Sequence, residues 1–310
     1  MKPSEQIIET LSSIIPNPKI AFMPYKVAMW DSMEPVYLEC KGKYRADLIP
    51  LDYMTFPGKK YHNESADFEE LGYDTFGFKQ ISEEYYDFIV IHYPYDGCNN
   101  VTQLMPYEFV GALKKHAKVV YIPYHGNIAG REWKRFFTMP GARESDFICL
   151  GSDLDVEVFR EVNPGYMGQI IRTSDSVKVE CAEMHKEDPV PEKFSNIEEP
   201  IILICGTLWT FTHDPEGRME KHLEMIGKMG KLGNFVIYRP HPLVEDAIAV
   251  MRPEYLAKYR DFLKKVYEMC YLDTSPFLHQ AIRAAAELIC DPSSVLKTWK
   301  GTGKPYEVME

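Results

Sequence analysis

The chain has 310 residues, 45% of them hydrophobic and 26% charged, and a formal net charge of -11. That length suits one large α/β domain or two domains of about 150 residues each. The acidic balance argues against a duplex nucleic-acid partner, which would meet a basic face, and against docking on anionic lipid through a polybasic patch.

No stretch approaches the roughly 20 apolar residues of a membrane span. The opening "MKPSEQIIETLSSIIPNPKIAF" lacks a signal peptide's long apolar core and small-residue cleavage site. Seven cysteines contain no C-x-x-C pair, and Cys149, Cys205 and Cys290 end apolar runs, as small buried thiols do. The expectation is a cytosolic, reduced protein, with any membrane contact peripheral at the inner face.

Short apolar runs alternate with longer amphipathic stretches along the chain. Predicted strands in the first half are "KIAFMP" (19–24), "ADLIPL" (46–51), "DFIVIHY" (87–93), "KVVYIPY" (118–124) and "DFICL" (146–150). The second half has "PIILIC" (200–205), "NFVIYRP" (234–240), "VYEMCYL" (266–272) and "ELIC" (287–290). Predicted helices fill 106–116, 153–162, 217–230, 252–265 and 276–286, while 53–80 reads as a long loop or irregular insertion. This alternation predicts an α/β protein with parallel sheets covered on both faces. The stretch 178–200 is charged, holds three prolines and shows no helix period, so it reads as a linker. The predicted organisation is two Rossmann-like doubly wound domains facing across a cleft, residues 1–177 on the acceptor side and 201–310 on the donor side.

Ligands of such sheets sit beyond the carboxyl ends of the strands, so the residues after each strand are the candidates. Asp291, Ser293 and Ser294 follow "ELIC" and open a helix, where backbone amides and hydroxyls suit a phosphate. The same residues also suit a plain N-cap with no ligand. Gly206 and Thr207 follow "PIILIC" and allow either close approach of a phosphate or an ordinary tight turn. Arg239 and His241, with a proline after each, follow "NFVIY". The prolines fix the backbone there. The arginine suits a bidentate phosphate contact or a structural carboxylate pair, and the imidazole suits hydrogen-bond or proton donation.

In the first half, His125 and Gly126 follow "KVVYIPY", and a histidine so placed can deprotonate an acceptor hydroxyl. "IHYPYDGCNNVT" offers Tyr93, Tyr95, Asp96 and Asn99 as a wall for polyol or sugar hydroxyls. There is no G-x-G-x-x-G after a strand, no P-loop, no G-x-S-x-G and no cluster with metal-ligand spacing. Transfer chemistry needing neither a redox cofactor nor a metal is expected.

"IILICGTLWTF", "YRPHPL", "DTSPFLHQAI" and "LICDPSSV" occur in that order over roughly residues 200 to 305. They resemble the C-terminal half of the CDP-glycerol:polyglycerophosphate glycerophosphotransferases, the teichoic-acid primases and polymerases. The resemblance implies a GT-B architecture, with Arg239 and His241 at the donor pyrophosphate and Ser293 and Ser294 cradling a phosphate. It implies His125 of His125-Gly126 as the base, although the Thr-Pro-Leu-Lys that follows in the family is Asn-Ile-Ala-Gly here. It further implies CDP-glycerol or a similar CDP-polyol as donor and a lipid-linked or soluble glycan as acceptor. An ordinary nucleotide-sugar glycosyltransferase and a non-catalytic nucleotide-polyol binding module are the rival readings.

Overall fold

A computed structural model describes residues 1–125 and 131–309 and divides the chain into two units, Met1–Thr55 with Lys59–Met184, and Phe56–Gly58 with His185–Glu310. Gly126 lies outside the described residues. The first unit carries β1 (Lys19–Met23), β2 (Arg45–Leu48), β3 (Tyr53–Thr55), β4 (Lys60–His62), β5 (Phe88–Ile91), β6 (Thr102–Leu104), β7 (Lys118–Tyr121), β8 (Phe147–Leu150) and β9 (Gln169–Arg172). Six of these form a parallel sheet in the order β2-β1-β5-β7-β8-β9. β5 and β8 are buried at every position, the continuous apolar pattern of strands covered on both faces.

The second unit carries β10 (Ile201–Cys205), β11 (Phe235–Arg239), β12 (Tyr271–Leu272), β13 (Glu287–Cys290) and β14 (Tyr306–Val308). These form a parallel sheet in the order β12-β11-β10-β13-β14. Each unit is thus a doubly wound Rossmann-like α/β layer. In each the strand order reverses once, between β1 and β5 and between β10 and β13.

Three stretches differ from expectation. Residues 53–80 are not a plain loop: β3 pairs with β4 on one side and β6 on the other in an antiparallel sheet of order β4-β3-β6, with helices at Ser65–Glu70 and Lys79–Glu83. Strands of only three residues, one of which finds its second partner some 50 positions away, leave little local pattern to read. "VYEMCYL" is mostly the end of a helix, Leu256–Met269, because Tyr259, Phe262 and Val266 fall on one buried face. Only Tyr271–Leu272 remains strand.

The stretch read as a linker begins as a helix, Val177–Met184, in the first unit. Its Lys178 and Glu180 are buried with partners. Lys178 Nζ lies 2.9 Å from Asp31 Oδ2, and the Glu180 carboxylate accepts from the Ser4 amide at 2.8 Å and from its hydroxyl at 2.5 Å. A lysine and a glutamate on the inward face erase the polar-apolar alternation on which the expectation rested.

Cys149, Cys205 and Cys290 are buried and unpaired, as expected, and burial pushes the Cys290 thiol up to about 12. No helix among the described residues is long and apolar enough to cross a membrane. Lys304 closes a helix end from within the fold. Its ammonium donates to the carbonyls of Ile282, Arg283 and Ala285 at 2.9, 3.2 and 2.7 Å, at the end of helix Leu278–Ala284. Burial, with Arg283 nearby, pulls it down to about 8. Lys304→Met is expected to cost about 1–3 kcal/mol by leaving those carbonyls short of donors. Faster amide hydrogen exchange confined to 278–290 checks this.

Candidate functional site

Every sequence candidate of the second unit lies at or just beyond the carboxyl end of a strand that is β10 itself or one of its two neighbours. β10 ends in Gly206 and Thr207, β11 in Arg239 and His241, and β13 in Asp291, Ser293 and Ser294. The reversal between β10 and β13 is the topological switch point, where two loops part and leave a crevice. The structure therefore brings these three loops together, with groups of two kinds: those buried in bonds between the loops and those only half-buried.

Asp291 belongs to the first kind. It is fully buried, and its Oδ2 accepts from the Thr207 amide at 3.0 Å and the Thr210 hydroxyl at 2.6 Å. His222 Nε2 stands 3.3 Å from the same oxygen, and Arg218 Nη1 is 3.4 Å from Oδ1. Burial by itself would raise the carboxyl's pKa. The His222 imidazole, the Thr210 hydroxyl and the Thr207 amide outweigh it and leave the group below its ordinary value. Asp291 therefore straps the loop after β13 to the loop after β10 and does not face a donor. The Thr207 amide is engaged with it, which leaves the hydroxyl as the part of Thr207 available to a ligand. Gly206 is required by packing, since a Cβ there would lie 2.7 Å from the Phe211 ring.

Arg239 is likewise internal. It is 6% exposed, and its Nη1 donates to Asp273 Oδ2 at 2.6 Å, with Ser275 Oγ at 3.4 Å. Asp273 Oδ1 in turn accepts from the Ser275 amide at 3.1 Å and hydroxyl at 2.7 Å, an Asx turn. The structural carboxylate pair is thus the reading that the geometry favours, and Arg239 ties the loop after β12 to the end of β11.

His241 and the two serines are placed differently. His241 Nδ1 accepts from the Leu243 amide at 3.2 Å. In the neutral ring the proton then sits on Nε2, which is a hydrogen-bond donor. Ser294 occupies the N-cap position of helix Val295–Thr302, but its side chain makes no capping hydrogen bond. Asp291, the residue best suited to make one, is turned the other way. The amides of Leu296 and Lys297 in its first turn donate to the Ser293 and Ser294 carbonyls at 3.3 and 3.0 Å, while the start of an α-helix still carries positive potential. A half-buried helix start with Ser293 and Ser294 beside it is a fit for an anion.

In the first unit, His125 follows β7 and its ring packs on Phe136, with centroids 4.8 Å apart. Tyr95 shares a 2.8 Å hydroxyl contact with Tyr124. The wall expected from Asp96 and Asn99 is not free to take a polyol. Asp96 is a buried residue at φ 46° whose carboxylate accepts from the Val110 amide at 3.2 Å. Asn99 donates to Tyr93 and Thr102 at 3.0 and 3.1 Å and accepts from the Val101 amide at 2.9 Å.

Sequence reasoning passed over His92, at the end of β5 beside this unit's own switch point. It is fully buried, its Nε2 accepts from the Tyr25 amide at 2.7 Å, and its Nδ1 meets Ser32 Oγ at 2.9 Å. Burial pulls the imidazole down to about 3, so it is a neutral strut for the loop after β1. His222, Arg218 and Asp273 were also missed; of these only Asp273, in its Asp-x-Ser turn, carried a local signal.

No family model matches the chain, and no curated protein matches it in sequence. Among solved structures it is similar to the UDP-GlcNAc 2-epimerase of Neisseria meningitidis bound to UDP-GlcNAc, with a TM-score of 0.62 and 12% identity over 94% of this chain and 82% of that one. The Methanocaldococcus jannaschii UDP-GlcNAc 2-epimerase in complex with UDP-GlcNAc and UDP gives a TM-score of 0.60 at 12% identity, covering 94% and 83% of the two chains. The S. aureus MnaA-UDP co-structure gives 0.59 at 11% identity, covering 94% and 79%. These likenesses establish the fold, a GT-B-like pair of Rossmann-like units.

Proposed function

We propose that the chain is a transferase that moves a polyol phosphate from CDP-glycerol, or a related CDP-polyol, to an acceptor hydroxyl and releases CMP. The observation that carries the donor side is the half-buried start of helix Val295–Thr302, where the N-cap Ser294 hydroxyl makes no capping bond. It stands on one side of β10, and His241, with its donating Nε2, stands on the other. Both suit a diphosphate at the switch point, and the resemblance of the surrounding motifs to the glycerophosphotransferases supports a CDP-polyol as its carrier.

In this reading the acceptor oxygen attacks the phosphorus that bears the polyol, and the bond from that phosphorus to the CMP oxygen breaks. The acceptor proton passes to His125, and charge growing on the leaving CMP is met by His241, the Ser293 and Ser294 hydroxyls and the positive potential of the helix start. Arg239 and Asp291 act through the loops they hold. A nucleotide sugar is the second reading, favoured by structural neighbours bound to UDP-GlcNAc or UDP.

Calorimetric titration with CDP-glycerol, CDP and UDP-glucose tests the choice. CDP-glycerol is expected to bind more tightly than UDP-glucose. His241→Ala is expected to weaken it about 10- to 100-fold, the range for loss of a hydrogen bond to a charged group. Preference for UDP-glucose would move the chain to the second reading, and unchanged affinity in His241→Ala would remove that residue from the site.

A further inference from the structure

From the position and packing of Trp209 we infer that it is the platform on which the donor's nucleobase stacks; the inference rests on the nucleotide reading above. Trp209 lies on helix Leu208–His213, which begins immediately after Thr207 at the end of β10. It is 50% exposed, whereas Trp30 and Trp299 are 3% and 0% exposed. An indole is among the largest apolar surfaces a side chain offers, and leaving half of it in water forgoes a stabilisation that folding could have taken. This indole is nevertheless held in place. The His213 ring lies against it, with centroids 5.6 Å apart and planes 17° from parallel, which fixes the orientation of its exposed half.

The short helix beneath it is anchored at both ends. Thr210 donates to the buried Asp291 at 2.6 Å, and Phe211 is buried in the core. At the other end Arg252 Nη1 donates to the Thr212 and His213 carbonyls at 3.1 and 3.2 Å. Rigid support of this kind is what a binding platform needs and what a stray surface aromatic does not require.

The place also fits. Neighbouring strands lie about 4.8 Å apart, and β10 stands between β11 and β13. The loop that leads into Trp209 is therefore adjacent to the one bearing His241 and to the one bearing Ser293 and Ser294. A ligand with its phosphates at those loops and a flat base attached would reach the indole, while inorganic pyrophosphate would not. Stacking is tolerant of base identity, so cytosine and uracil are both accommodated here, and choice between them belongs to other contacts.

The experiment compares wild type with Trp209→Phe and Trp209→Ala, using CDP and pyrophosphate as probes in calorimetry and indole fluorescence as a second readout. In the wild type CDP is expected to quench the fluorescence and pyrophosphate is not. Trp209→Phe should bind CDP within about threefold of wild type without the quench, because a ring remains. Trp209→Ala should lose roughly 5- to 100-fold for CDP, as base-aromatic stacking predicts, with pyrophosphate affinity unchanged in both variants. Equal CDP affinity in Trp209→Ala and wild type would overturn the platform and leave the nucleotide reading standing. So would a parallel loss of pyrophosphate, which would mean that the substitution had disturbed the loop. Failure of the wild type to bind CDP, UDP or CDP-glycerol would overturn the nucleotide reading, and the platform with it.

Discussion

Replacing Asp291 by alanine is expected to destabilise the second unit by about 3–5 kcal/mol, the range for removing one partner of a buried charged pair. The carboxylate is fully buried, and its removal leaves the Thr207 amide, the Thr210 hydroxyl, His222 Nε2 and Arg218 without their shared acceptor. Asparagine separates charge from shape. Its amide oxygen can take the place of Oδ2 and keep three of those contacts, while its amide nitrogen then meets the Arg218 guanidinium, a donor facing a donor. Since Arg218 is 20% exposed and can turn toward water, Asp291→Asn is expected to cost about 1–3 kcal/mol. Amide exchange over 201–212 and 287–294 reads both variants, fastest in alanine and intermediate in asparagine. Ser294→Ala, which removes no cap, should leave exchange as in the wild type and act only on ligand affinity.

Asp291 also shows what the sequence could and could not tell. The strand "ELIC" and the residues after it were legible, because a short apolar run ending in Asp-Pro-Ser-Ser has few other readings. Whether the aspartate caps its own helix or reaches elsewhere was not, since its partners Thr207, Thr210 and His222 lie 84, 81 and 69 residues away. Arg239 poses the same problem over 34 residues to Asp273. A strand end offers a cation or a carboxylate to whatever packs there, and only tertiary structure says whether that is a ligand or another loop. His241 is constrained more locally, since its Nδ1 accepts from the amide of Leu243 two residues on and a proline stands on either side of it. In the first unit the Asp96-Gly97-Cys98-Asn99 stretch reads as a polar wall, but the Asp96 carboxylate accepts from an amide 14 residues away and Asn99 bonds Tyr93, Val101 and Thr102, partners that no local pattern announces.

Asp96 has a further consequence, because a carboxyl buried to hold one amide is costly to ionise. Burial pushes Asp96 up to about 7 from 3.8, with Glu144 adding to it and the Val110 amide opposing. Glu108, 2% exposed and bonded to the amides of Asp52 and Met105, is pushed by burial up to about 8 from 4.5. Both values are raised on folding, so the stability they contribute is complete below pH 4 and is lost as pH rises through 7 and 8. His92 acts in the opposite direction: its value falls from 6.5 to about 3, so it adds stability as pH rises toward 6.5 and nothing beyond. Above pH 6.5 the two carboxyls act unopposed by His92. One pKa unit corresponds to about 1.4 kcal/mol, so the first unit is expected to lose about 3 kcal/mol between pH 6.5 and 8.5. Asp291, whose value is lowered, imposes no such loss on the second unit in that range. The slow amides of β1 and β5, corrected for intrinsic exchange, should open more readily at pH 8.5 than at 6.5, while those of β10 and β13 should not. Asp96→Asn keeps an oxygen for the Val110 amide and suits a positive φ, so it should stabilise the first unit at pH 8.5 and flatten its slope. Glu108→Gln is expected to lower stability at pH 6.5, because an amide nitrogen replaces one of two accepting oxygens, and still to remove the larger part of the slope. A slope unchanged in both variants would mean that other groups titrate in this window.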